Sequence, residues 1–482
     1  MKTLEEAILG CAKRIPNKIA VKSGVDKVTY AELASRLIAS SAFFRRQDWF
    51  AKHRFVLLAA EKQLSFVYAY FGAHLAGLSV VPVASDINQQ RLEYIIDFLE
   101  PCVAIGLSTP DISLPTVSLD DFTKIEPCDD GAREFISPDE IADVLFTTGT
   151  TGLPKAVPLT FANELAAARQ INTYIGNSHE DKELLALPVS HSFGLGRLRC
   201  CLLNEQTIIL LGSFANTKRL YRIIEEEQVT GFSMVPASWN YLQKMTGDKL
   251  SQYANQLRYI EFGSSFLSEE AKRHLAALFP HTRITMHYGL TEASRSCFME
   301  FHEDAKALGS VGKATPGVDV KIFDEHGKEM PPCTEGEICI KGEHLTKGYL
   351  KHDNHDTFFG DYFRTGDCGY KDNDGYLYLK SRIKELINVG GKKVSPMEVD
   401  LQIQAIPGGV DCACVGVTDP EGVLGEVVKA CIVKERSSEL SFETIASILA
   451  GKLENYKIPI VWQWIDSIPR THNGKIQRSL LK

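Results

Sequence analysis

The sequence predicts an α/β protein. It should have a large N-terminal domain of mixed sheets flanked by helices, a small β-barrel-like region, and a small C-terminal α+β domain. Three observations predict this. Short apolar runs such as "FVLLAA", "GLSVVPVA", "TIILLG" and "YIEF" alternate with helix-period stretches such as "ELASRLIASSAFFRR" and "SEEAKRHLAALF", which is the pattern of largely parallel strands and covering helices. From about residue 309 the texture changes. "VDVKIFDEHGKEMPP", "GEICIKG" and "GYKDNDGYLYL" read as strands joined by Asp-Gly and His-Gly turns, which suits a small antiparallel region. After "LKSRIKELI" a block of about 100 residues, an ordinary domain size, reads strand–turn–helix, strands, helix and a final strand. The boundary is expected near Ser381–Lys384, dividing the chain into residues 1–382 and 383–482.

Bulk properties bound the function. At 482 residues the chain exceeds one ordinary core, so two or more domains are expected. Its 44% hydrophobic and 24% charged composition is that of a globular protein. With 53 basic against 61 acidic residues the formal charge is −8, which opposes general affinity for nucleic acid or anionic membrane. The start, "MKTLEEAILGCAKRIPNKIAV", carries charges every few residues and has no apolar signal core. No window reaches about 18 uninterrupted apolar residues, so no spanning helix is expected. The 12 cysteines are scattered, and neither Cys200–Cys201 nor the Cys412/Cys414 pair has a zinc spacing. Reduced cysteines used as small hydrophobes, and a cytoplasmic location, are the expectations.

One stretch resists a structural explanation. "TTGTTGLPKA", residues 147–156, lies between two strand-like runs, "DVLF" and "AVPLT". Closely spaced glycines let backbone N–H groups converge, threonines add hydroxyl donors, and Lys155 adds a cation, which together make a polyphosphate cradle. It is not a Walker loop, because Gly149 and Gly152 are only two residues apart and Pro154-Lys155 follows. Taken alone, the same composition also suits a solvated turn.

With its neighbours, the loop "TTGTTGLPKAV" resembles the signature of the adenylate-forming superfamily: acyl- and aryl-CoA synthetases, peptide-synthetase adenylation domains and firefly luciferase. Ala156 stands where that family usually has Gly. "VTYAELASRLIASSAFF", "LPVSHSFGLG", "MHYGLTEAS", "GSVGKATPGVDVKI", "EGEICIKG", "GYL", "YFRTGD", "GYLYLKSRIKELINVGGKKVSPMEVD" and "IPRTHNGKIQRSLL" follow in the family's order. They cover essentially the whole chain. Each is weak to moderate alone, and their shared order makes the resemblance specific.

The resemblance assigns roles. Thr147, Thr148, Gly149, Thr150, Thr151 and Lys155 would cradle the phosphates of ATP, with Thr148 counted among the catalytic groups. Glu292 would ligate Mg²⁺, a cation that takes oxygen donors and usually only one or two carboxylates. Within "HYGLTE", His287, Tyr288 and Gly289 would line the nucleotide site, Tyr288 against adenine, and Thr291 would meet phosphate. Without the resemblance this segment reads as a Tyr-Gly turn with a surface Glu. Gly263 and Ser264 occupy the place of the family's Gly-rich adenine-binding strand end, where Ser264, Ser265 and Phe266 depart from the usual small-residue and Pro run. Asp367 would accept hydrogen bonds from the ribose and Arg382 would add fixed donors; Ser381 replaces the family's Gly before that Arg. Lys384 lies at the hinge position. Gly390 and Gly391 would line the pantetheine channel of coenzyme A, while Lys392 and Lys393 suit either solvent or CoA phosphates. Lys475, presented by an Asn-Gly turn, would reach the carboxylate nucleophile and the α-phosphate.

His191 and Phe193 match the acyl-pocket His and aromatic. No Asp stands between Pro188 and Arg199 to hold an α-ammonium, which argues against an α-amino acid. Arg197 and Arg199 are open between meeting a second acidic group on the substrate and lying at the surface. The implied activity is ATP-dependent carboxylate–thiol ligation through an acyl-adenylate, with ATP, Mg²⁺ and coenzyme A and a mobile C-terminal cap. The alternative acceptor is the phosphopantetheine arm of an acyl carrier protein. A non-catalytic binding protein and a luciferase-like oxygenase are further alternatives. The partners are thus a small-molecule carboxylic acid and possibly a carrier protein, with no nucleic acid and no membrane span. Both a monomer and a homodimer are compatible with the sequence, and the acid itself is not identified.

Overall fold

A computed structural model describes residues 2–50, 55–107, 114–127, 137–147, 154–407, 409–434, 438–471 and 474–482. The chain divides into two compact units: Met1–Leu308 with Ala314–Asp319 and Lys341–Thr357, and Gly309–Lys313 with Val320–Ile340 and Phe358–Lys482.

The first unit carries two sheets of the kind the apolar runs predict. In the larger, Ile19–Ser23, Thr207–Leu210, Lys182–Leu185, Gly231–Met234, Tyr259–Phe262 and Arg283–Tyr288 run parallel in that spatial order. Antiparallel strands Asp26–Thr29 and Cys297–Glu300 flank this parallel core. Gly231–Met234 and Tyr259–Phe262 are buried along their whole length, as strands covered on both faces must be. In the second sheet Phe55–Ala59, Ser79–Val83 and Val103–Ile105 are parallel, Ile141–Thr147 joins them, and Lys155–Thr160 returns antiparallel at the edge.

The helices start where their sequences say they should. Thr29 and Glu32 form a reciprocal capping box on Tyr30–Arg45, and Thr160 with Asn163 does the same for Phe161–Ile175. Ser268 caps Glu269–Leu278. Tyr30, Leu33, Leu37 and Phe44 of the first of these helices lie in one core cluster with Phe66, Phe71 and Phe122. Burying each such side chain contributes roughly 2 kcal/mol.

The second unit holds the antiparallel strands expected beyond residue 309. Tyr362–Lys371 pairs with Gly336–Gly342, Phe358–Phe359 and Leu377–Arg382. The C-terminal residues form the hairpin Ile387–Val389/Lys392–Val394, helices Pro396–Gln404 and Phe442–Ala450, and the three-stranded sheet of Gly409–Thr418, Glu426–Lys434 and Val461–Trp464. Among the described residues no helix is long and apolar enough to cross a membrane. The fold class is therefore the one the sequence predicts.

Candidate active site

In the first unit, Lys155 opens the return strand directly opposite Thr147. The predicted loop residues Thr148, Gly149, Thr150 and Thr151 lie outside the described residues. Strand Arg283–Tyr288 runs two residues further than the apolar run "RITM", so His287 and Tyr288 belong to the strand itself. Leu290 and Ala293 then close a turn through reciprocal backbone bonds, and that turn carries Thr291 and Glu292. Glu292 is only 9% exposed, and its Oε1 accepts a 2.7 Å hydrogen bond from the Tyr349 hydroxyl. Among the described residues no three His, Cys, Asp or Glu side chains converge as an all-protein metal site. A lone, fixed carboxylate fits Mg²⁺, which completes its shell with substrate phosphates and water.

His191 occupies the N-cap position of helix Ser192–Leu203 and is half-buried, while Phe193 in its first turn is buried. Phe193 meets the His287 ring edge-on at 4.6 Å, and the Arg295 guanidinium lies 4.8 Å from its centroid. The structure thus joins the predicted substrate aromatic to the predicted nucleotide motif. Gly263 makes this possible, since a Cβ there would lie 2.0 Å from the His287 ring. Ser264, which follows, sits at φ +73, a left-handed conformation that costs an L-residue about 1 kcal/mol or more.

Beneath these rings lies a buried charge network that the sequence analysis did not anticipate. Glu261 Oε1 is 3.0 Å from Arg295 Nε and 2.8 Å from His287 Nδ1. Glu261 Oε2 accepts from Ser233 at 2.8 Å and is 3.6 Å from Arg197 Nε. Arg197 forks onto Glu183, with Nε to Oε1 at 2.8 Å and Nη2 to Oε2, and Tyr259 donates to the same carboxylate. Burial alone would raise the Glu261 carboxyl, but Arg295, His287 and Arg197 hold it well below the usual carboxylate range. Burial pushes the His287 imidazole below its ordinary value even though Glu261 favours its charged form.

Arg197 and Arg199 are fully and almost fully buried, so the surface alternative for them is overturned. Arg199 pairs with Asp143 and Glu164 and bonds the Tyr70 hydroxyl. The sequence held a signal for this: arginines set among Leu, Gly and Cys in "GLGRLRCCLL" have no polar face to share. Glu261 inside the apolar run "YIEF" is the same signal.

In the second unit, cross-strand register puts Asp367 opposite Arg382. Arg382 Nε lies 2.8 Å from Asp367 Oδ1, its Nη1 donates to the Thr365 carbonyl at 2.9 Å, and Asp367 N donates to Thr365 Oγ1 at 3.0 Å. This fixed, nearly buried carboxylate suits a diol. Lys384 is exposed in the short helical turn Ile383–Glu385. Gly390 and Gly391, at φ +56 and +86, form the two-residue turn of the Ile387–Val389/Lys392–Val394 hairpin, a conformation that demands glycine. Lys475 is exposed beside Gly474, on a turn closed by Thr471 N to Lys475 O at 2.8 Å and Lys475 N to Thr471 Oγ1 at 3.2 Å. Asn473 of the expected Asn-Gly turn lies outside the described residues.

Residues 10–350 match the AMP-binding enzyme family and residues 398–475 match the AMP-binding enzyme C-terminal domain. The chain is 28% identical to a 2-succinylbenzoate–CoA ligase from Bacillus licheniformis over 98% of both chains. ATP-bound MatB from Rhodopseudomonas palustris superimposes with a TM-score of 0.90 at 25% identity, covering 100% of this chain and 98% of that one. The o-succinylbenzoate CoA synthetase MenE from Bacillus subtilis, solved with its acyl-adenylate intermediate, gives 0.86 at 25% identity, covering 99% and 97%. A further MenE structure holds ATP and a magnesium ion. The first match spans more than half of the chain and the second covers its C-terminal part, and the chain belongs to the AMP-binding, adenylate-forming enzymes.

Proposed function

We propose that the protein is an ATP-dependent carboxylate–CoA ligase. The observation that carries this reading is the match along essentially the whole chain to a relative named as a CoA ligase. A substrate carboxylate oxygen attacks the α-phosphorus of ATP and pyrophosphate leaves, giving an acyl-adenylate. The sulfur of coenzyme A then attacks the acyl carbon, and AMP departs with the carboxylate oxygen.

Asp367 accepts the ribose hydroxyls, with its orientation fixed by Arg382. Lys155 and Thr147 flank the phosphate loop, and Lys475 supplies an ammonium to the α-phosphate and the attacking carboxylate. Such charge neutralisation is usually the largest catalytic contribution. Magnesium bound at Glu292 supplies countercharge for the phosphates. His191 and Phe193 bound the acid. Residues 383–482 act as a cap turning about Lys384, so that Lys475 serves adenylation and the Gly390–Gly391 turn serves the thioester step. The exposure of Lys384, Gly390 and Lys475 supports residues that change neighbours.

The Bacillus licheniformis relative is named a 2-succinylbenzoate–CoA ligase and MenE an o-succinylbenzoate CoA synthetase, so dicarboxylic and aryl acids belong in a panel beside short, medium and long acyl chains. In that panel one acid class is expected to drive exchange of labelled pyrophosphate into ATP, and CoA to discharge the adenylate. Discharge only by a holo-carrier protein would replace CoA as acceptor, and exchange with no acid of any class would remove the ligase reading.

A further inference from the structure

The motif "GYL" is Gly348–Leu350. Residues 343–354 form a strap laced onto both predicted phosphate-facing segments of the first unit. Leu350 N donates to the Ala156 carbonyl at 3.0 Å, and Thr346 Oγ1 to the Pro158 carbonyl at 2.7 Å, which ties the strap to the strand that begins with Lys155. Thr346 N donates to the Glu292 carbonyl at 3.0 Å, and Leu345 bridges Ala293, which ties it to the Glu292 turn. Asn163 Nδ2 holds the Glu343 carbonyl at 2.7 Å, and Asn354 exchanges two bonds with the Tyr349 backbone, at 2.9 and 3.0 Å.

The strap delivers Tyr349 between the two charged groups. Lys155 Nζ stands 4.3 Å above the centre of the Tyr349 ring, and the Tyr349 hydroxyl donates to Glu292 Oε1 at 2.7 Å. One side chain therefore meets the cation of the phosphate loop through its π face and the candidate magnesium carboxylate through its hydroxyl. A cation over an aromatic face is attracted by the ring quadrupole, so the ring fixes the height of the ammonium above it. A donor on one carboxylate oxygen fixes the carboxylate plane and leaves the second oxygen for a metal, which is how partners behind a ligand tune its affinity.

We propose that Tyr349 is a positioning residue that sets the spacing of Lys155 and Glu292, the hydroxyl governing magnesium and the ring governing the phosphates. The assignment rests on the ligase reading above. Two variants separate its halves: Tyr349→Phe keeps the ring and removes the hydroxyl, and Tyr349→Leu removes both. Binding of Mn²⁺ with ATP is read by water-proton relaxation, and the Mg²⁺ dependence of pyrophosphate exchange is read in parallel. For Tyr349→Phe the metal half-saturation is expected to weaken about tenfold or more while ATP affinity at saturating metal stays within about twofold. For Tyr349→Leu the metal defect is expected to persist, with ATP affinity at saturating metal falling a further factor of about three or more.

Unchanged metal dependence in the Phe variant would overturn the proposal, as would equal ATP affinity at saturating metal in the Phe and Leu variants. If the Leu variant does not fold, the metal dependence of the Phe variant decides alone. Wild-type protein without acid-dependent exchange would remove the ligase reading itself. Wild-type exchange with normal metal dependence in the Phe variant would remove only the role of Tyr349.

Discussion

The two sets of candidate site residues are built on opposite principles. Around Phe193 in the first unit, Glu261, Arg295 and Arg197 are buried with His287 half-buried beside them, and each carboxylate oxygen of Glu261 has a charged or polar neighbour. In the second unit Lys384, Gly390 and Lys475 are exposed and borne on turns. A charge in a dry interior has one geometry, because any other leaves it unpaired at a cost of several kcal/mol. A turn-borne exposed lysine has many geometries of similar energy, which suits a group that acts at one step and then leaves. On the proposed mechanism, preorganisation and mobility are thus divided between different residues.

The largest expected effect tests the mobile side. Lys475→Ala should lower adenylation about a thousandfold, the loss typical of removing a group that neutralises transition-state charge, while sparing thioester formation from supplied acyl-adenylate. Half-reaction assays read both steps, and equal loss in both would erase the division. The same variant should keep its denaturation midpoint, its stability staying within about 0.5 kcal/mol.

Glu261→Gln tests the fixed side and should behave inversely. It takes the buried anion away from Arg295, while Arg197 keeps Glu183, so stability in urea should fall by about 3 kcal/mol. A drop no larger than that of Lys475→Ala would show that the network is dispensable to the fold.

Much of the scaffold was legible because it rests on local rules. The runs "YIEF" and "TIILLG" became strands and Gly390–Gly391 became a hairpin turn, each from its own few residues. The Asp367–Arg382 pair was legible only as two entries in a motif order; that they touch follows from cross-strand register. The roles of Glu261, Arg295 and Tyr349 were not legible because they depend on partners 34, 34 and 57 residues away, which no periodicity reports. Arg197 and Arg199 were open to a surface placement because each is ordinary alone, although two charges in an apolar helix need buried partners.

A second buried group sharpens the comparison through pH. His74 lies 2.8 Å from Glu5 and 3.2 Å from Asp143. Burial lowers its pKa, but hydrogen bonds to the two carboxylates outweigh that and raise it to about 10. Because the folded value exceeds the unfolded value of about 6.5, this stabilisation is complete below pH 6.5 and is lost as pH climbs towards 10. Denaturation midpoints should therefore fall between pH 7 and 10, and His74→Gln should flatten that slope. An unchanged slope would mean that other groups set the alkaline limit.

The smallest effect belongs to the turn. Gly390→Ala places a Cβ at φ +56 and should cost about 1 kcal/mol in thermal denaturation while slowing thioester formation more than adenylation. Equal slowing of both steps would detach this turn from the second half-reaction.

The most direct measurement follows an oxygen atom. With an acid labelled with ¹⁸O in its carboxylate, a turnover through an acyl-adenylate leaves one labelled oxygen in the AMP and none in the pyrophosphate. Mass spectrometry of the separated products should show that distribution. Label in inorganic phosphate, or AMP free of label while acyl-CoA accumulates, would contradict activation at the α-phosphorus.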